Sequence, residues 1–112
     1  MSHAQVLLVA RDEALAQIEH LTSDLEQMMA ASESSNADDE HDPEGATIAF
    51  ERAQVGALLA QARQRLEDVE HALGLLKNGT YGRCAGCSGP IGAERLAARP
   101  AGRTCICCAG RA

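Results

Sequence analysis

The chain has no tryptophan, and Phe50 and Tyr81 are its only phenylalanine and tyrosine. A thick globular core filled by large rings is therefore excluded. Cysteine is absent from the first 83 residues. No apolar run approaches the ~20 residues that a membrane-spanning helix needs. The apolar stretch at residues 4–10 has no basic leader and runs directly into Arg11-Asp12-Glu13, so a signal peptide is not expected. No Gly-rich phosphate loop or nucleophile–base pair stands out, and the four histidines (His3, His20, His41, His71) are scattered. With 112 residues, a multi-domain enzyme is not expected. These absences point to a non-enzymatic, cytoplasmic protein without a membrane segment. In that reducing setting clustered cysteines are metal ligands rather than disulfides.

Apolar residues nonetheless make up 46% of the chain, mostly as Ala and Leu, which suits helices packed side by side. Leu7, Ala14, Leu21 and Met28 recur every seven residues, with Ile18 and Leu25 between them and Leu8, Leu15 and Met29 widening the stripe. This is the period of an amphipathic helix from Gln5 to about Met29. A second stripe follows at Ile48, Val55, Ala62, Val69 and Leu76, interleaved with Leu59, Leu66 and Leu73. Its four or so heptads predict a helix roughly 45 Å long. Asp42 suits its N-cap and Pro43 its first position, and Lys77-Asn78-Gly79 reads as its stop. Neither stripe can be buried alone, so the two helices are expected to fold as an antiparallel coiled-coil hairpin over residues 1–78. The polar, acidic residues at about 32–47 form its tip.

The charge is uneven. Residues 1–80 hold fifteen acidic and five basic side chains, a net −10, whereas residues 81–112 hold one and five, a net +4. All five cysteines lie in that basic end. Cys84-Ala85-Gly86-Cys87 and Cys105-Ile106-Cys107-Cys108 form two C-x2-C knuckles separated by seventeen residues, a spacing suited to four-thiolate zinc. Two sulfurs from each knuckle reach one ion at ~2.3 Å, and four thiolates leave no position open for a reacting water. One structural Zn2+ held by Cys84, Cys87, Cys105 and Cys108 is the expectation, in a finger spanning residues 79–112. Gly82, Gly86 and Gly89 permit its tight backbone, and Cys107 is left as a bystander thiol. With few apolar residues of its own, the finger should depend on the metal for its order.

Gly79-Thr80-Tyr81-Gly82-Arg83-Cys84, Ile91, Arg95-Leu96, Pro100, Cys105 and Cys108, following a helical hairpin, resemble the DksA/TraR family of bacterial RNA polymerase regulators. The resemblance is close over residues 75–108 and looser over the hairpin. It implies a monomeric transcription regulator that binds bacterial RNA polymerase and passes its coiled-coil tip into the secondary channel, without sequence-specific DNA contact. Asp39, Asp42, Glu44 and Thr47 are the tip residues that would approach the active centre. They match the Asp-x-x-Asp-x-Ala pattern of the family only in part. The chain ends four residues after Cys108, short of the C-terminal helix of longer members. Arg95 and Arg99 are candidates for contact with an acidic partner surface.

Other functions remain open on sequence. The five finger arginines could serve direct nucleic-acid binding, although no aromatic cluster is present for base stacking. The stripes could pair with partner chains, as in a coiled-coil adaptor. Residues 40–51 carry some of the spacing of a calcium loop, but with Glu40 at its first position and Pro43 better suited to a helix start.

Overall fold

The computed structural model describes residues 2–34 and 43–110. Among these residues four helices follow one another: α1 (His3–Ser34), α2 (Pro43–Asn78), α3 (Ala93–Ala98) and α4 (Ile106–Ala109). No strand is present among the described residues, and Arg83 and Pro90 form an isolated antiparallel bridge. No described helix is long and apolar enough to cross a membrane.

The long helices begin and end where local chemistry closes them. Before α1, the Ser2 hydroxyl accepts the Gln5 N–H at 3.2 Å, and the Gln5 side-chain oxygen accepts the Ser2 N–H at 2.9 Å. This reciprocal box satisfies amides that the first turn leaves without partners, so α1 starts ahead of the expected Gln5. Helix α2 starts at Pro43 and ends at Asn78, as the breaker residues imply. Beyond it Gly79 adopts φ +78°. Its N–H reaches the Leu76 carbonyl at 3.3 Å, and the Thr80 N–H reaches the Leu75 carbonyl at 2.9 Å. This paired closure requires a left-handed residue, which explains the glycine.

The packing divides into two compact units, Ala14–Gln64 and Met1–Glu13 with Arg65–Ala112. In the first, Leu21, Leu59 and Ala62 are buried, with Ile18, Leu25 and Val55 packed around them. In the second, Leu7, Val69 and Ala72 are buried, flanked by Ala10, Leu73, Leu76, Tyr81 and Ala101. The two long helices thus form the expected antiparallel hairpin, with the heptad positions Leu7, Ala14 and Leu21 buried. The seam is narrower than the sequence stripe. Leu8, Leu15 and Met29, which widen the stripe, stay exposed, because a two-helix contact covers a single line of positions on each helix. Ala72, outside the expected register, is buried instead.

Candidate metal centre

The chain leaves α2 through Gly79 and enters the first knuckle as a tight turn. The Ile91 N–H donates to the Gly82 carbonyl at 2.8 Å, and the Cys84 N–H donates to the Gly89 carbonyl at 2.7 Å. Within that turn the Ser88 N–H returns to the Cys84 carbonyl at 2.9 Å. Gly86 leaves room here for the second knuckle, since an added Cβ would lie 3.1 Å from the Cys108 sulfur and crowd it. The second knuckle has a different construction: Cys105 precedes the single turn of α4, and the Ala109 N–H donates to its carbonyl at 2.9 Å. Cys108 is thereby turned back toward Cys105.

These two local structures bring the Cys84, Cys87, Cys105 and Cys108 sulfurs within 4.8 Å of one another. Sulfurs at the corners of a tetrahedron around an ion ~2.3 Å away would lie about 3.8 Å apart. The Cys87–Cys105 separation is 3.9 Å. The four positions therefore fit a metal ion, and their all-thiolate chemistry suits a soft or borderline one. Cys107 lies exposed outside the cluster.

The sulfurs differ in character. Cys84 is buried, and its sulfur accepts N–H groups from Cys105 at 3.2 Å and Gly86 at 3.3 Å. Backbone donation, led by Cys105, lowers its pKa to about 6. Backbone donation at Cys108 is also the leading cause that lowers Cys105. Cys108 is pushed up to about 12, chiefly by side-chain hydrogen bonds with Cys105 and Cys84. The cluster thus holds one sulfur ready as thiolate and another that retains its proton until a cation replaces it.

The remaining residues of the family pattern have physical tasks around these sulfurs. Ile91 and Leu96 are buried against Cys84, with Tyr81, Cys105 and Cys108 at the edge. Tyr81 borders both this cluster and the one around Leu7. Its hydroxyl donates to the Pro100 carbonyl at 2.8 Å, and burial raises its pKa. Helix α3 carries Leu96 inward. Arg95, on the same helix, is half-buried with no acceptor for its Nε among the described residues, whereas Arg99 is exposed at the helix end. Sequence periodicity could not reveal α3, because six residues are too few to establish a period. It also gave no sign of the ion pair between Asp68 and Arg103, at 2.9 Å, which joins residues 35 positions apart.

The tip candidates have a different status. Asp39 and Asp42 lie outside the described residues. Glu44 lies in the first turn of α2, and Thr47 is exposed one turn further along.

The fold and the sulfur geometry define an α-helical hairpin protein with a C-terminal four-cysteine metal-binding module. No protein-family model matches the chain. The structure is similar to that of transcription factor DksA2 from Pseudomonas aeruginosa, with a TM-score of 0.77 and 28% identity, covering 97% of this chain and 78% of that one. In sequence, 69 residues are 41% identical to the uncharacterized protein YteA of Bacillus subtilis (strain 168). That match covers 62% of this chain and 29% of YteA, so the chain spans under a third of that relative. Fold and cysteine cluster together support a DksA/TraR-type family for this chain.

Proposed function

We propose that the protein is a non-enzymatic regulator of transcription that binds bacterial RNA polymerase, with one structural Zn2+ held by Cys84, Cys87, Cys105 and Cys108. The observation that carries this reading is the likeness to transcription factor DksA2 along 97% of the chain, with the four sulfurs gathered at one point. The functional division falls between a hairpin of residues 1–78 and a finger of residues 79–112. The finger is structural, since four thiolates close the coordination shell of zinc. The segment between α1 and α2 enters the secondary channel of the polymerase, where Asp39, Asp42, Glu44 and Thr47 act near the active centre. Acidic groups there would meet bound magnesium or basic channel residues. Arg95 and Arg99 contact an acidic polymerase surface. The regulator works as a cytoplasmic monomer and without sequence-specific DNA contact.

A reconstituted transcription assay tests this reading. Adding the protein should change initiation by purified polymerase, and the protein should co-migrate with the core enzyme. Asp42→Asn should keep that binding while weakening the effect on transcription. A variant that loses binding yet keeps the effect would disprove the tip assignment. Elemental analysis of protein purified without added metal should find one zinc per chain.

A further inference from the structure

Two residues outside the cysteine cluster have a geometry that bears on it. Asp68 lies on α2, 16 residues before Cys84, and its Oδ1 accepts a hydrogen bond from Arg103 Nη2 at 2.9 Å. Arg103 occupies the loop that leads into the second knuckle, two residues before Cys105. Its carbonyl accepts the N–H of Ala85, inside the first knuckle, at 2.7 Å. Two residues on, the Cys105 N–H donates to the Cys84 sulfur at 3.2 Å. Arg103 is thus held at its side-chain end by the long helix and at its backbone end by the first knuckle. The same loop is also anchored at Pro100, whose carbonyl receives the Tyr81 hydroxyl, and at Ala101, which packs against the Leu7 cluster.

We propose that Asp68 is a positioning residue for the metal centre, fixing through Arg103 the approach of the second knuckle to the first. This inference rests on the reading that the four cysteines bind zinc. Its physical basis is preorganisation. The loop must be ordered for both sulfur pairs to meet one ion, and each anchor already present lowers the entropy lost when the ion binds. Helix α2 is ordered over many turns by the hairpin seam, so Asp68 provides a fixed point that the finger cannot supply for itself. Outer partners of metal ligands act in this way by holding the ligands where the metal needs them. Both side chains are partly exposed, at 34% for Asp68 and 40% for Arg103, so solvent screens the pair and its effect is modest.

Zinc affinity measured by competition with a chromophoric chelator tests the proposal on full-length wild-type protein, Asp68→Asn, Arg103→Gln and the double variant. Each single substitution should weaken zinc binding about fivefold, and the double variant should lose no more than the larger single loss. Helical circular dichroism of the zinc-loaded variants should match wild type, which separates positioning from a failure to fold. Asp68→Glu should recover part of the lost affinity. Unchanged affinity in Asp68→Asn, or losses that add in the double variant, would overturn the proposal while leaving the zinc reading intact. A wild-type chain that takes up no zinc would overturn both.

Discussion

Leu7 and Leu8 are neighbours in sequence and identical in chemistry, yet the fold treats them oppositely. Leu7 is fully buried, whereas Leu8 is 40% exposed. Leu7→Ala removes three carbons, which at about 0.8 kcal/mol per buried methylene amounts to roughly 2.4 kcal/mol of lost transfer energy. A cavity contribution adds to this. Ala72 shares the buried cluster of Leu7, Ala10 and Ala101 pack against that cluster, and such short side chains cannot reach inward to fill the space. A total of about 3 kcal/mol follows, within the range for buried Leu→Ala changes. Leu8→Ala should cost about 1 kcal/mol or less, as substitutions near the surface usually do. Urea unfolding of the zinc-loaded protein measures both. The helical signal at 222 nm follows α1 and α2, and the fluorescence of Tyr81, undisturbed by any tryptophan, follows the cluster that contains Leu7. Equal destabilisation by the two substitutions would refute the one-sided seam, as would a Tyr81 transition that Leu7→Ala leaves unmoved.

Three further outcomes are expected. Gly79→Ala should destabilise the protein by about 1 kcal/mol, seen as a lower urea midpoint, because an alanine must hold φ +78° although no atom crowds its Cβ. Removing the metal with a strong chelator should change the near-ultraviolet signal of Tyr81 while most of the 222 nm ellipticity remains. The reason is that α3 and α4 contribute only six and four residues, against 32 and 36 in α1 and α2. Zinc affinity should fall as pH is lowered, since protons compete with the ion for sulfur. Cys108, raised to about 12, still carries its proton at neutral pH and releases it on binding. Competition with a chromophoric chelator should therefore show weaker zinc binding at pH 5 than at pH 7.5.

The hairpin was legible because helix periodicity is a local property. Leu7, Ala14 and Leu21 repeat at the spacing that keeps one face inward, and Pro43 and Gly79 mark the ends of α2 through their own backbone restrictions. The Ser2 and Gln5 box was equally local and could have been read from its three-residue spacing. The cysteine grouping was legible for a related reason, since C-x2-C spacing constrains the chain within each knuckle.

What the sequence by itself determined, then, is what short-range geometry controls: helix periods, helix ends and the pairing of sulfurs within a knuckle. Only the tertiary structure decided that Leu7 is covered while Leu8 is not, that Ala72 joins the seam, and that Tyr81 borders two clusters. It alone brought Arg103 to Asp68 and the Cys105 amide to the Cys84 sulfur. Such contacts depend on how distant segments meet, and no spacing along the chain encodes that meeting until the folded backbone brings them within reach.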